Sequence, residues 1–215
     1  MAGSLKLQLA EGARQIGLEL NEACCDTLLD YAGLIRKWNQ THNLTTIDDP
    51  AKMLTHHLLD SLSIARFVSG NRCLDIGSGA GLPGMVMALA NPEQQWTLVE
   101  SRTKKASFLR EAKTRCKAKN VTVIAARVED YRPPANFDTL ASRAVSTLAN
   151  LISMTDHLRH PQGRLISMKG TYPEDELSAL TPRHREMTEV FAVEVPGLDA
   201  HRHIVVMTDV SENQT

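Results

Sequence analysis

Apolar and polar positions follow two rhythms along this chain, and the rhythm changes near residue 70. Before that point apolar residues recur every three or four positions. From 21 to about 39, Leu28, Ala32, Ile35 and Trp38 fall at helical spacing, with Asn21 placed to cap the helix. Asp48-Asp49-Pro50 opens another helix, an acidic cap followed by proline in the first turn. Leu54, Leu58, Leu62 and Ala65 line one face of it to about Val68. After Gly70 short apolar runs alternate with helical ones. Strands are expected at 73–76, 96–99, 121–125, 139–142 and 165–168, and helices near 83–90, 103–118, 146–158 and 173–180. Such alternation builds a parallel sheet with helices on both faces. Two late strands, near 187–195 and 203–208, have no clear helix between them, so a closing hairpin should set an antiparallel strand into the sheet. The expected organisation is an N-terminal helical cap, 1–68, packed on an α/β domain, 69–215.

Composition narrows the classes. The chain has 215 residues, enough for one domain with a small appendage. Lys+Arg 24 against Asp+Glu 25 gives a net charge of -1, which argues against a globally basic nucleic-acid binder but leaves room for a local patch. The N-terminus lacks the apolar core of a signal peptide, and no apolar run is long enough to span a bilayer, so a cytoplasmic protein without membrane contact is expected. Cys24, Cys25, Cys73 and Cys116 form no C-x-x-C pair and read as small buried hydrophobes. His56 and His57 are consecutive on a helix and cannot share a face, and no third ligand accompanies His201 and His203, so no metal is expected.

The densest signal is Cys73-Leu74-Asp75-Ile76-Gly77-Ser78-Gly79-Ala80-Gly81-Leu82-Pro83-Gly84, an apolar strand running into clustered glycines and then a helix. Glycines there let the backbone approach a ligand beyond the carboxyl end of a parallel strand. No Lys occurs between Arg72 and Glu100, so a Walker loop is excluded. A dinucleotide fingerprint can be read at Gly79, Gly81 and Gly84, but that frame starts three residues past the strand. The frame of Asp75, Gly77, Gly79 and Gly81 matches an S-adenosylmethionine turn directly. Glu100 ends the second strand, where a ribose diol can donate to its carboxylate, although a dinucleotide enzyme would carry this acid too. Glu129, after the third strand, can accept from an adenine amine. Three acid-marked strand ends favour S-adenosylmethionine.

The acceptor is less marked. The fourth strand ends in Ser142-Arg143-Ala144, not in the Pro-Pro-aromatic signature of exocyclic-amine methylation, and no cysteine nucleophile lies near it. A ring nitrogen such as guanine N7 presents its lone pair without deprotonation, so alignment without a general base would suffice. From Arg102 to Lys119 the cations 102, 104, 105, 110, 113, 115, 117 and 119 face one acid, Glu111. This run suits a phosphate-steering face and equally a solvated helix. Arg143 and Lys169, at the ends of the fourth and fifth strands, have the better claim to contact cofactor or RNA.

Together these stretches resemble the bacterial small-subunit (16S) ribosomal RNA guanine-N7 methyltransferases, the glucose-inhibited division protein B family. The resemblance is carried by Lys37-Trp38-Asn39, Asn43-Leu44-Thr45, His57-Leu58-Leu59-Asp60-Ser61, the glycine turn, Arg127-Val128-Glu129, Ser142-Arg143-Ala144 and Lys169-Gly170, in family order. It implies a class I S-adenosylmethionine-dependent methyltransferase fold, a Rossmann-like, seven-stranded, mostly parallel sheet with the last strand antiparallel. It implies methyl transfer to N7 of one guanine in the decoding region of 16S ribosomal RNA, on the RNA or on the small ribosomal subunit. A monomer is expected. Gly77 and Leu82 are then on the donor, Val128 and Glu129 flank the adenine, Arg143 reaches the donor near the reaction site, and Arg127 and Lys169 are positioning cations. The alternatives are a class I methyltransferase acting on a small molecule or protein, and a non-catalytic assembly factor.

Overall fold

The computed structural model describes residues 2–208. Helix α1 (Ala2–Gln15) and helix α2 (Glu22–His42) open the chain. The Asn21 side chain accepts from the Cys24 amide at 2.8 Å, the expected cap. The helix expected over 50–68 is instead built in pieces. Helix α3 (Pro50–Met53), capped by Asp49, widens into a π-helical turn (Leu54–Leu59), returns to α-helix in α4 (Asp60–Leu62) and ends in a 3₁₀ turn (Ala65–Phe67). No glycine or proline marks the widening. It is held from outside the segment, as described below, and wide turns of this kind recur at functional sites.

The sheet has seven strands, β1 (Arg72–Ile76), β2 (Gln95–Val99), β3 (Val121–Ile124), β4 (Phe137–Arg143), β5 (Arg159–Lys169), β6 (Thr188–Val193) and β7 (Arg202–Thr208). Their order is β3-β2-β1-β4-β5-β7-β6. The first five run parallel, and β7 lies antiparallel between β5 and β6, as the missing crossover helix required. The helices between are α5 (Gly84–Ala90), α6 (Thr103–Arg115) and α7 (Leu148–Thr155). The single helix expected over 173–180 is two, α8 (Glu174–Ser178) and α9 (Pro182–Glu186), because Thr181 caps a new start at Pro182.

Side chains alternate across the strands and so divide between two cores. Cys73, Trp96, Leu98, Ala141, Ile166 and Ile204 pack under α2, α5, α6 and the π turn. Leu74, Ile76, Val99, Leu140, Leu165 and Val205 pack under α7 on the opposite face. The N-terminal helices therefore share one core with the sheet. Trp38 of α2 meets Phe108 of α6 edge-on, with ring centroids 5.5 Å apart.

Tyr31 of α2 is fully buried and its hydroxyl donates to the Ala80 carbonyl inside the glycine turn. Burial raises its pKa well above the usual phenol value, which keeps the donor proton in place. Tyr31→Phe is expected to lower unfolding stability by about 1–3 kcal/mol, the cost of leaving a buried carbonyl without its partner. Urea titration measures it; an unchanged midpoint would mean that the carbonyl finds another donor.

Candidate active site

The carboxyl edge of the sheet is shaped by the turn after β1. Gly77, Gly79 and Gly81 all have positive φ, at 62°, 57° and 75°. Gly81 shows why no side chain fits: a Cβ there would meet the Tyr31 hydroxyl and would lie 2.9 Å from Met85 Cβ. Two carboxylates hold the turn from opposite sides. Glu100, at the end of β2, accepts from the Gly79 amide at 2.9 Å with Oε2 and from the Arg102 amide at 2.8 Å with Oε1. Asp75 is fully buried and accepts from the Gly84 amide at 3.0 Å with Oδ2, while its Oδ1 has no partner among the described residues. Burial pushes its carboxyl up to about 7, against the pull of the Gly84 amide and the Ser78 hydroxyl.

Beside the turn is a cleft of about 240 Å³ lined by Ile76, Gly77, Val99, Val128, Glu129 and Val145, among others. Arg127 opens on the same cleft but its guanidinium is paired with Glu129 at 2.7 Å. The Glu129 backbone amide and Arg127 together hold that carboxyl below its usual range.

A second pocket, of about 430 Å³, lies across the ends of β4 and β5 and includes Thr45, His57, Asp60, Arg143, Lys169 and Arg202 in its walls. The π turn forms one wall. Arg143 Nη1 donates to the His56 carbonyl at 2.9 Å and to Asp60 Oδ2 at 3.2 Å, and Arg202 Nε donates to Asp60 Oδ1 at 2.8 Å. His57 Nε2 is 2.9 Å from the Thr45 hydroxyl, and the Thr45 amide donates to Asn39 Oδ1 at 2.9 Å. These contacts tie the Asn39, Thr45 and His57-to-Asp60 stretches to one place. Burial, aided by the Arg143 charge, pushes the His57 imidazole down to about 4, so it is neutral at pH 7. Lys169 Nζ is bound by both oxygens of Glu176, at 2.9 and 2.8 Å, and by the Ser146 carbonyl at 3.3 Å.

A fold of this form is shared with solved methyltransferases at low identity. One is an S-adenosylmethionine-dependent methyltransferase from Aquifex aeolicus (TM-score 0.55, 15% identical, covering 77% of this chain and 97% of that one). Another is an S-adenosylmethionine-dependent O-methyltransferase from Thermotoga maritima (TM-score 0.52, 20% identical, 81% and 71% covered). Both show the class I methyltransferase architecture alone. The sequence decides further: residues 24–205 match the family described as rRNA small subunit methyltransferase G. This chain belongs to that family. The proteins named ribosomal RNA small subunit methyltransferase G from Methylobacillus flagellatus and Chromobacterium violaceum are both 44% identical to it. The first spans 94% of this chain and 98% of its own length, the second 93% and 96%.

In this member of the methyltransferase G family, the residues singled out from sequence divide into three groups. Gly77, Val128, Glu129 and Arg127 share the smaller cleft, and Arg143 and Lys169 share the larger pocket. Gly79, Gly81 and Glu100 shape the turn itself. Asp75 and Leu82 are different: Asp75 is 0% exposed and Leu82 is 4% exposed, within the core under the N-terminal helices. The Leu82 amide is already spent on the Ser78 carbonyl at 3.1 Å. These two were expected on the donor; in the structure their side chains lie beneath the turn, because the inward face of β1 carries Asp75 and the turn folds Leu82 under itself. Arg127, Arg143 and Lys169, expected as positioning cations, each hold a carboxylate. Sequence reasoning did not single out Arg202 or Glu176. Neither lies in a motif, and only the sheet order brings β7 beside β5 and so Arg202 to the pocket.

The Asp75 carboxyl sets a pH dependence. Its folded pKa of about 7 lies above the ordinary 3.8, so its stability contribution is full at low pH and is lost as pH rises between the two. Asp75→Asn is neutral throughout. Its melting temperature relative to wild type is therefore expected to rise from pH 5 to pH 8, as read by thermal melts at both. A difference independent of pH would show that the carboxyl is ionised in the fold at pH 5.

Proposed function

We propose that this protein transfers a methyl group from S-adenosylmethionine to N7 of one guanine in the decoding region of 16S ribosomal RNA, in the cytoplasm. The observation that carries this reading is the meeting, at one sheet edge, of a carboxylate-braced glycine turn with a cation-lined pocket. Family membership supports RNA as the acceptor, since the curated relatives bear that substrate in their name.

The residues present fit the donor. The smaller cleft has apolar walls from Ile76, Val99 and Val128 suited to an adenine face, and Glu129 supplies an acceptor at its rim. The glycine turn leaves open space at Gly79, where a Cβ would have no neighbour nearer than 3.8 Å, so a ligand can approach the backbone there. When bound, the donor supplies an electrophilic methyl on a positively charged sulfur. In this reading Glu100 uses the lone pairs left by the Gly79 and Arg102 amides for the ribose diol. Val128 and Glu129 flank the adenine, and Gly77 faces the donor. The helical cap, 1–68, contributes Tyr31, Thr45, His57 and Asp60 to a site whose frame is the domain 69–215.

Guanine N7 needs no base. His57 suits that demand, because an imidazole held near 4 is a poor proton acceptor at neutral pH. Arg143 holds the target near the donor, with Arg127 and Lys169 as further positioning cations. A guanidinium fork on both O6 and N7 would occupy the lone pair that must attack. Arg143 therefore reaches the guanine through O6 or an adjoining phosphate.

The test is methyl transfer from labelled S-adenosylmethionine to small ribosomal subunits whose RNA lacks the modification, with naked 16S RNA and large subunits in parallel. Label in 16S RNA and none in large-subunit RNA is expected. Label in subunit protein, or none in any RNA, would overturn the reading.

A further inference from the structure

The Asp60 carboxylate is 4% exposed, yet it faces two guanidiniums that come from two different strands, β4 and β7. Arg143 ends β4 and Arg202 begins β7, and each takes a different oxygen of Asp60. Each guanidinium is also fixed at a second point by a backbone carbonyl, Arg143 by His56 at 2.9 Å and Arg202 by His201 at 2.9 Å. Two-point attachment sets the plane of a guanidinium as well as its distance. What these bonds leave over is Nε and Nη2 of Arg143 and Nη2 of Arg202, which donate to no described group. Both arginines line the larger pocket. The cluster carries two positive charges and one negative, so a net positive charge is presented there. Lys169 adds none, being matched by Glu176. Without the carboxylate, the guanidiniums would stand as like charges beside each other and diverge.

We propose that Asp60 is a positioning residue for methyl transfer: it does not touch RNA, but it orients Arg143 and Arg202 so that their remaining donors meet the anionic or carbonyl groups of the target nucleotide. The inference rests on the methyltransferase reading. Asp60 also explains the π turn that precedes it. The wide turn brings the His56 carbonyl and the Asp60 carboxylate to the same Arg143 nitrogen.

The test uses full-length protein and the Asp60→Asn variant, which keeps the shape and removes the charge. The first readout is the ¹⁵N–¹H signals of the Arg143 and Arg202 Nε groups, which report how rigidly each guanidinium is held and do not depend on activity. Both are expected to shift and broaden in the variant. The second is steady-state methylation of 16S RNA. The kcat is expected to fall about 100-fold, the scale of a small misplacement of a positioning group, while affinity for S-adenosylhomocysteine changes by less than about threefold, well under the tenfold that 1.4 kcal/mol would give. The third is a double-mutant cycle: in an Arg143→Ala background, Asp60→Asn should cost less than in wild type, because one of the two groups it orients is gone. Should Asp60→Asn melt below the assay temperature, Asp60→Glu carries the same three readouts, with its carboxylate displaced by one methylene. Arg signals identical to wild type, wild-type kcat in a folded variant, or losses that multiply independently in the double mutant would each overturn the proposal. A wild-type protein that methylates no RNA would overturn the function instead, and the arginine signals would still decide whether Asp60 orients them.

Discussion

Arg143→Ala is expected to lower kcat for RNA methylation by at least about 100-fold, the scale of losing one preorganised donor at a reacting centre. The reason is geometric. Arg143 stands at the end of β4 in the wall of the larger pocket, and it is fixed by the His56 carbonyl and Asp60 with donors to spare. Arg143→Lys should be nearly as poor, because an ammonium cannot reproduce the planar fork. Stability should suffer less than the loss of a buried ion pair implies, since Asp60 keeps Arg202 as a partner at 2.8 Å. Single-turnover kinetics at saturating donor, with RNA affinity measured separately, checks this. If RNA affinity falls while the rate at saturation holds, Arg143 is a binding residue and takes no part in alignment.

Glu100→Ala is expected to weaken donor affinity by about 1.5–3 kcal/mol, the range of hydrogen bonds to charged groups. The structure adds a second consequence. Two backbone amides, of Gly79 and Arg102, lose their acceptor, so the unliganded protein should also melt at a lower temperature. Glu100→Gln keeps one acceptor oxygen and turns an amide donor towards another donor, so it should fall between alanine and wild type. Calorimetric titration with S-adenosylhomocysteine reads the affinity. A lower melting temperature with unchanged affinity would mean that Glu100 braces the turn and leaves the ribose alone.

Much of the fold was legible because its signals are local. The glycine turn, the cap at Asn21, the Asp49-Pro50 helix start and the strand–helix alternation each reside in a few consecutive residues. The late hairpin was legible for the opposite reason, the absence of a crossover helix between the last two runs. The π turn was not, because nothing in Leu54–Leu59 breaks an α-helix; a guanidinium from β4, far along the chain, holds it. The same limit applies to the site. Motifs marked Gly77, Glu100, Glu129 and Arg143 at strand ends, but only packing shows which side chains face a cleft. Asp75 sits in the strongest motif and is wholly buried beneath it. Arg202 sits in no motif and completes a carboxylate shared with Arg143. The basic run also divides. Lys104 is exposed, whereas Lys105 bends towards the turn, its Nζ 3.8 Å from where a Gly79 Cβ would stand.

The most direct measurement is nucleoside analysis of 16S RNA after reaction with the protein and S-adenosylmethionine, using small subunits that lack the modification. One new nucleoside, 7-methylguanosine, is expected at a single guanine of the decoding region, formed by wild type and lost with Arg143→Ala. An adenine or cytosine methylated on its exocyclic amine, a 5-methylcytosine or a methylated ribose in its place would contradict this, because each of those acceptors needs a proton removed or a covalent nucleophile, whereas the proposed reaction uses neither.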